Sequence, residues 1–540
     1  MGPPILQSVF ASTVVLTLYI IYRRWTRISI ADIPGPEPGS FLLGCLPEWS
    51  QCEAAASDFK WQARFGHVIR LKGILGTDRL LISDPKALHH IYNSGYNLRK
   101  SDFRSELISI LTGPGLAWSN NEVHRRQRRI NSPAFGTQDA RSYVPIFSAY
   151  ANQLSTQWKE ILGADGSAVV DTPGYFSRYA LDTIGAVAFD YQFGTTDDQE
   201  DPLAKALGSV VPMFAIPTKG AIFAMGVLEF MPLSLVKFLI KYAPFPLLRH
   251  TRYVTRIAVG IAKQLVDEKS EALVAGKGKR DVLSLLVKAN ASENPRTSLS
   301  EAEMYAQMQT IMQAGHETTA STMSWAMFEL AQHPKIQRRL RAEIKETYSA
   351  MRARGDLELT AADFDNMPYT IAVMKETLRF HSVAAWSIRE AARDEVLPLS
   401  TPIVTTSGKT ITELPIPKNT ILVISNSGYN RNSDVFGLDS HVFNPERYLD
   451  GTVDQKTRLG VYGNLMTFGS GHRGCIGWRF AIYEFQAFLI ELVKTFEFSI
   501  EPSIAAKILR QPGIVMLPAI AGEVDKGPQL PITIRETTYR

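Results

Sequence analysis

The sequence predicts a mainly α-helical chain with small β-sheets, an α+β fold, that follows an N-terminal transmembrane helix. Three features indicate this fold. Apolar residues at helical spacing fill the middle of the chain, short β-branched runs lie nearer its ends, and an uncharged segment opens it. No repeat or linker divides residues 46–540, so we expect one large domain there, although 540 residues would allow several.

The opening segment, Ile5 to Tyr22, contains no charged residue. A helix of this length spans roughly 27 Å, about the thickness of a bilayer core. Three arginines follow within residues 23–27 and no basic residue precedes the segment, so the positive-inside rule places the rest of the chain in the cytosol. A cleaved signal peptide is the alternative, but it would need a basic start and a small-residue cleavage site. We expect a membrane anchor over residues 1–22 and a basic, proline-rich hinge over residues 23–45.

The first elements of the body are two short strands. Val68–Gly73 and Arg79–Ser83 are rich in β-branched and apolar residues, with a glycine turn between them. The clearest helix begins near Ser298, because Ser298 and Glu301 fit a capping box. It ends at about His333, before a proline that cannot continue it. A helix of this length is roughly 50 Å long and crosses a whole domain.

Four further elements follow. The pattern predicts a helix over Met367–Phe380 and a last long helix over Ile476–Lys494. Strand-like pieces lie at Thr410–Thr412 and Thr420–Val423, and more strands complete the chain.

Composition excludes several classes of protein. The chain carries 58 Lys+Arg against 53 Asp+Glu, a net charge of +5, which is too small an excess for a nucleic-acid-binding protein. Three cysteines cannot form a disulfide framework, and paired C-x-x-C zinc motifs are absent from the sequence. Each cysteine therefore has to be judged by its own surroundings.

One motif indicates the chemistry. Residues Phe468 to Gly477 fit the pattern F-x-x-G-x-R-x-C-x-G at every defined position. The segment is a glycine-rich loop that presents the thiol of Cys475 immediately before a helix. Glycines let backbone approach a flat ligand closely, and the amino end of a helix favours an anion, which would lower the pKa of the thiol. Arg473 is placed to pair with an acidic group of that ligand.

This motif resembles the signature of the cytochrome P-450 family, the heme-thiolate monooxygenases, in its fungal microsomal type. The resemblance implies a single helical domain that binds heme b (iron protoporphyrin IX), with Cys475 as the axial ligand of the iron. It also implies that Phe468, Gly469 and Arg473 contact the heme. A non-catalytic heme-binding membrane protein is a weaker alternative.

A second segment, Ala314–Thr319 in the long helix, resembles the oxygen-activation segment of the family. The resemblance implies that Thr318 donates a hydrogen bond to bound oxygen and that Glu317 relays protons, which makes both catalytic. A heme-thiolate isomerase or dehydratase, which acts without O2, is an alternative that the intact Glu317–Thr318 pair disfavours.

Three residues resemble the structural ion network of the family. Glu376 and Arg379 lie on one face of a predicted helix, three residues apart. Arg447 lies in a downstream P-E-R segment and is the expected third member. The resemblance implies a buried, structural role for all three.

Other basic residues are expected at the heme propionates by resemblance. His124 occupies the position where the family commonly has Trp, and Arg128 follows four residues later. Imidazole also offers an N–H donor, so His124 can fill that role. Arg389 is expected at the second propionate, with Arg393 as a rival. The arginines at 125, 126 and 129 form either a solvated helix face or a docking patch for an acidic reductase.

The resemblance also implies partners and location. Electrons from NADPH would arrive through a separate flavoprotein reductase, or a cytochrome b-type donor, because this chain has no dinucleotide-binding fingerprint. O2 is the co-substrate. A lipophilic small molecule is the expected substrate, in fungal secondary-metabolite (terpenoid-like) biosynthesis, with xenobiotic or fatty-acid oxidation as the rival. The apolar stretch Phe214–Leu248 is either a core helix or a substrate entrance at the endoplasmic reticulum membrane, where the chain would be single-pass with a cytosolic catalytic domain.

Overall fold

The computed structural model describes residues 28–197, 201–208, 216–277, 281–290, 298–454 and 457–537. The predicted anchor, residues 1–22, and the start of the hinge lie outside these ranges. Within them, no helix combines the length and the apolar character that crossing a bilayer requires.

Helices dominate the described chain, as predicted. They are α1 Leu46–Gln51, α2 Ala56–Phe65, α3 Pro85–Asn93, α4 Asp102–Thr112, α5 Asn121–Asn131, α6 Thr137–Ser142, α7 Val144–Glu160, α8 Thr172–Ile184, α9 Pro202–Gly208, α10 Lys219–Leu228, α11 Leu233–Tyr242, α12 Pro246–Val274, α13 Val282–Asn290, α14 Glu301–Gln332, α15 Pro334–Ala353, α16 Ala361–Asp365, α17 Pro368–Phe380, α18 Asn426–Asn430, α19 Ser433–Phe436, α20 Trp478–Thr495 and α21 Pro502–Ala505.

The strands within the described ranges form four small sheets. They are β1 Val68–Lys72, β2 Asp78–Ile82, β3 Leu98–Arg99, β4 Ser167–Asp171, β5 Trp386–Ala391, β6 Glu395–Val404, β7 Thr410–Ile416, β8 Ile421–Ser425, β9 Phe496–Ser499, β10 Ile508–Gln511, β11 Leu517–Ile520 and β12 Pro531–Glu536. The largest sheet has the order β1-β2-β8-β5-β3, with β2 and β8 parallel and its other neighbours antiparallel. It joins the predicted early hairpin to strands more than 300 positions later, and it places Arg389 of β5 beside β8.

The long helix α14 runs through the main hydrophobic core. The predicted apolar positions Met304, Met308, Ile311 and Met312 are all buried, and so is Trp325 further along. Its capping box lies two residues after the predicted one: Ser300 accepts a hydrogen bond from the N–H of Glu303, whose side chain accepts one in return from the N–H of Ser300. Both registers fit the pattern Ser-x-x-Glu. Tertiary contacts support the second, because Arg126 and Gln127 of α5 also bind the Glu303 carboxylate.

The apolar stretch Phe214–Leu248 is not a core helix. Its described part folds into α10, α11 and the start of α12, and many of its large side chains are exposed. Residues 209–215 lie outside the described ranges. Only Ile222, Gly226 and Val236 are buried in α10 and α11. High hydropathy alone could not separate a buried helix from an exposed apolar one.

Candidate active site

A cavity of about 350 Å³ lies between α14 and the loop that carries Cys475. Most of its wall is apolar, contributed by α14, α20 and the segment before β5. Six of the predicted site residues line it: Thr318, Arg389, Phe468, Gly469, Arg473 and Cys475. The predicted residues Glu317, His124 and Arg128 lie outside this wall.

The loop before α20 is held in one conformation by its own backbone. The N–H of Cys475 donates to the carbonyl oxygen of Phe468 (2.7 Å), and the N–H of Gly469 donates to that of Met466 (2.8 Å). Gly471 has φ +61°, and a Cβ there would lie 2.3 Å from the carbonyl oxygen of Tyr92. Only glycine fits that position without a shift of backbone, so the loop can pack this tightly against α3.

The thiol of Cys475 faces the cavity and is otherwise surrounded by protein. Burial raises its pKa, while the N–H of Gly477 and the charge of Arg128 act in the opposite direction. The helix end lowers this pKa as expected, through the N–H of Gly477, but burial of the sulfur has the larger effect and the net shift is upward. A cation at the sulfur would be needed to favour the thiolate.

Thr318 and Glu317 of α14 point in different directions. Thr318 lines the cavity, and its hydroxyl donates to the carbonyl oxygen of Ala314 (2.7 Å). Glu317 is turned toward α8, where its Oε1 accepts a hydrogen bond from Ser177 (2.9 Å). Successive helical residues are about 100° apart, and here that rotation turns Glu317 away from the cavity while Thr318 and Thr319 line it.

Glu317 is paired with a histidine that the sequence reasoning missed. Nε2 of His316 lies 3.2 Å from Oε1 of Glu317, and its Nδ1 donates to the carbonyl oxygen of Met312 (2.9 Å). Burial opposes both charges, but the pair's attraction outweighs it: the pKa of His316 is raised and that of Glu317 is lowered. The neighbouring His316 in the sequence was the signal that could have indicated this buried pair.

Basic side chains cluster on one side of the cavity, and no carboxylate of the described residues forms an ion pair with Arg473, Lys100 or Arg389. Burial and the charge of Arg389 lower the pKa of Arg473 to about 10. Burial and the charges of Arg473 and Arg389 hold the pKa of Lys100 well below its usual range. Nε of Arg473 is buried without a partner, although its Nη2 donates to Asn120 (2.6 Å). Such mutual repulsion is relieved when an anion binds between the cations.

His124 belongs to the same cluster. It is only 3% exposed, and its Nδ1 lies 2.8 Å from the hydroxyl of Tyr96. Burial, followed by the charges of Arg473 and Lys100, lowers its pKa to about 3, so the imidazole is neutral at physiological pH. A neutral imidazole keeps one N–H donor, which is what the predicted role requires.

The remaining basic residues differ in whether they line the cavity, hold the cysteine loop or pair with a carboxylate elsewhere. Arg128 donates to the carbonyl oxygen of Gly474 (2.6 Å), so it holds the cysteine loop. Arg389 lines the cavity, whereas its rival Arg393 is 65% exposed at the side chain and pairs with Glu395. Arg126 is tied to Glu303 of α14, so the predicted basic patch is smaller than the sequence indicated.

The three predicted network residues meet in the interior. Arg379 donates to both carboxylate oxygens of Glu376 (2.8 Å each), and Nε of Arg447 donates to the same oxygens (3.2 Å each). All three side chains are fully buried. Asn430 links this network to the cysteine loop: its carbonyl accepts from Arg379, and its side chain bonds Thr467 and Met466. Sequence reasoning missed Asn430, Lys100 and Tyr96, because no motif marks them.

These features fit a flat, anionic, iron-containing ligand such as heme. The thiol supplies a soft ligand for iron, and Gly469 and Gly477 of the same loop line the cavity without a side chain. The cluster around Arg473 supplies donors and positive charge for two carboxylates, and its partnerless Nε shows that protein groups alone do not satisfy it.

Comparison with known proteins identifies the family. A profile described as Cytochrome P450 matches residues 34–521. Cytochrome P450 monooxygenase 205 of Postia placenta is 30% identical, with 94% of this chain and 93% of that protein covered. Cytochrome P450 monooxygenase claP of Ampulloclitocybe clavipes is 30% identical, with 96% and 95% covered. These matches span both the cysteine loop and the Thr318 segment. The chain therefore belongs to the cytochrome P450 family of monooxygenases, whose cofactor is heme iron.

Proposed function

We propose that this chain oxidises a lipophilic small molecule with O2, and that Cys475 is the axial ligand of a heme b iron in the cavity. The observation that carries the proposal is the placement of the Cys475 thiol opposite Thr318 in one cavity, beside an uncompensated cationic cluster. Arg473, Arg389, His124 and Lys100 are the proposed donors to the two propionates.

Heme bound through a thiolate supplies the activation of O2 for insertion into an unactivated C–H bond. The protein holds the substrate, excludes bulk water and moves protons. Thr318, which lines the cavity, is the proposed hydroxyl donor to bound oxygen. The Glu317–His316 pair lies one residue away on the same helix, with Ser177 as a further hydroxyl, and forms a store of protons behind Thr318.

The substrate is proposed to be lipophilic because most of the cavity wall is apolar. Val383, Ala384 and Ile311 contribute to this wall, and Gln307 adds an amide that can orient a polar group of the substrate. A terpenoid-like intermediate of fungal secondary metabolism is the substrate class that we propose first. Xenobiotics and fatty acids are the rival substrates in a product screen.

Two surfaces support the proposed partners. Arg125 and Arg129 are exposed on α5, on the side of the chain that carries the cysteine loop, and suit an acidic NADPH-dependent flavoprotein reductase. Exposed apolar side chains of α10 and α11 suit contact with the endoplasmic reticulum membrane. The uncharged run Ile5–Tyr22 is the proposed anchor.

The decisive experiment is the absorption spectrum of the dithionite-reduced full chain with carbon monoxide. We expect a strongly red-shifted Soret band in the wild type, because a thiolate opposite the carbon monoxide produces that shift. The Cys475→Ala variant should lose this band. The matched control is Cys52→Ala, since Cys52 is also a free cysteine but lies exposed, away from the cavity. A red-shifted band that persists in Cys475→Ala would refute the assignment of the ligand.

A further inference from the structure

A second cavity, of about 370 Å³, lies at the far end of α14, and it shares no described lining residue with the first. Its walls come from the ends of α14 and α17, the residue after α18, and β10. Unlike the apolar active-site cavity, this one is lined by ionisable groups: Glu53, Glu329, His333, His381, Arg431 and Arg510.

Arg431 is the most unusual of these groups. It is only 8% exposed, and its guanidinium lies between two phenyl rings, 3.9 Å from the ring centre of Phe380 and 4.7 Å from that of Phe59. Its Nη2 donates to the carbonyl oxygen of Phe380 (2.9 Å), while its Nε is buried with no partner. No ion pair joins it to a carboxylate of the described residues. A buried guanidinium normally has such a partner, because its desolvation is otherwise uncompensated.

A second cation stands on the same wall. Arg510 of β10 is held in place by Glu53, with Nε donating to Oε1 (3.0 Å), and its side chain is 20% exposed. Burial and the charge of Arg510 hold the pKa of Arg431 well below its usual range. The two arginines therefore repel each other across a space that protein does not fill.

The opposite wall carries no net negative charge at neutral pH. Burial raises the pKa of Glu329 to about 8, and burial holds the pKa of its partner His381 well below its usual range. The two share a hydrogen bond of 2.6 Å between neutral groups, and His381 stacks on Trp325 with ring centres 4.3 Å apart. Nδ1 of His381 is buried without a partner, so this wall offers a further polar atom and no repulsion.

We propose that this cavity binds a compact oxyanion of the phosphate class between Arg431 and Arg510. Arginine suits such a ligand because its planar fork matches the oxygens of a phosphate. The ligand comes either from free phosphate or from a phosphate headgroup, since both present the same oxygens. This proposal does not depend on heme ligation by Cys475.

The test is calorimetric titration of the full-length holoenzyme in detergent, at constant ionic strength set with chloride. One arm uses inorganic phosphate and the other a soluble short-chain phosphatidic acid. Saturable binding in the first arm supports the site with free phosphate as its source, and saturable binding only in the second supports it with a lipid source. No saturable binding in either arm would overturn the proposal.

Variants locate the site. Arg431→Gln should weaken the binding at least tenfold, because it removes the only buried cation without a carboxylate partner on this wall. Arg510→Gln should also weaken the binding. Because Arg510 is more exposed, this variant replaces Arg431→Gln in the test if the latter does not fold. The matched control is Arg393→Gln, because Arg393 is an exposed arginine between β5 and β6. This variant should bind the anion as tightly as the wild type does. Binding that is unchanged in both cavity variants would place the anion elsewhere and reject the proposal.

Discussion

At the residue scale, two adjacent residues of one motif have side chains that point in different directions. Thr318 faces the cavity and Glu317 faces α8, where it meets His316 and Ser177. The threonine is therefore the member of the pair that can contact substrate or oxygen. We propose that the glutamate acts through its neighbours, as a positioning and proton-storing group.

Thr318→Ala is expected to keep the heme and most of the fold but to waste reducing equivalents as hydrogen peroxide. The substitution removes the Thr318 hydroxyl from the cavity wall, which is the proposed donor to bound oxygen. The measurement is the ratio of peroxide formed to NADPH consumed, with reductase and substrate present. Thr347→Ala, a helix threonine on α15 away from the cavity, is the control. Product formation that remains coupled in Thr318→Ala would contradict this role.

The buried carboxyl of Glu329 predicts a pH effect on stability. Its pKa is about 8 in the folded chain and near 4.5 when exposed, with burial as the main cause; Arg431 and Arg510 oppose the shift and Glu376 adds to it. Between these two values the folded state binds more protons than the unfolded state, so stability falls as the pH rises through that window. Above about pH 8 the loss is complete.

Glu329→Gln should remove this dependence, because the amide imitates the neutral carboxyl. Melting temperatures of wild type and variant, measured from pH 5 to pH 9 in chloride buffer, test the expectation. The melting temperature of the variant should increase relative to that of the wild type as the pH rises. Glu446→Gln is the control, since that carboxylate is exposed and pairs with Arg339 at the surface. Parallel curves for wild type and Glu329→Gln would refute the raised pKa.

At the element scale, one carboxylate ties α17 to the segment that leads to the cysteine loop. The carboxylate of Glu376 accepts hydrogen bonds from both Arg379 and Arg447. Arg379 also donates to the carbonyl oxygens of Asn430 and Ser440. Asn430 in turn bonds Thr467, next to Phe468. The position of the thiol thus depends on a polar network that lies outside the cavity.

Glu376→Gln is expected to destabilise the fold by about 3–5 kcal/mol, because it leaves the buried guanidinium of Arg379 without a carboxylate and that of Arg447 with Asp439 alone. Denaturant unfolding followed by circular dichroism measures this loss. The surface pair of Arg339 and Glu446 is the comparison, where Glu446→Gln should cost less than about 1 kcal/mol. Equal losses in the two variants would show that burial does not determine the strength of the network.

At the scale of the whole molecule, the exposed apolar side chains are not scattered evenly. Phe230, Phe238 and Phe245 are 58%, 57% and 61% exposed, in or beside α10 to α12. Phe41, near the hinge, is 70% exposed. Leu43 of the hinge and Val227 of α10 pack against one small buried cluster that contains Ile74 and Ile222, so the two regions adjoin each other. We propose that a membrane covers this apolar surface.

The full chain in liposomes should therefore bury position 230 in lipid. A fluorophore attached to Phe230→Cys, in a Cys52→Ser background, should be quenched by spin-labelled lipid. Leu357→Cys is the control, because Leu357 is an equally apolar residue that is 94% exposed in a different part of the chain. Equal quenching at both positions would refute a membrane-facing side.

Much of the site could be predicted because short motifs place its residues in fixed local geometry. The cysteine loop follows from its glycines, and the Glu376–Arg379 pair follows from helical spacing. Lys100 and Asn430 could not be predicted, because each reaches the site from a segment far away in the sequence. The sign of the shift in the Cys475 pKa was also beyond prediction, since it depends on how much protein surrounds the sulfur.

By itself, the sequence determined the fold class, the cysteine that faces the cavity and the family, because these depend on local spacing and on residue identity. Only the tertiary structure decided which charges are paired. It placed Glu317 beside His316, put Arg389 rather than Arg393 at the cavity, and left Arg431 without a carboxylate. The physical reason is that the energy of a charge depends on burial and on neighbours in space, and neither is encoded in a local pattern.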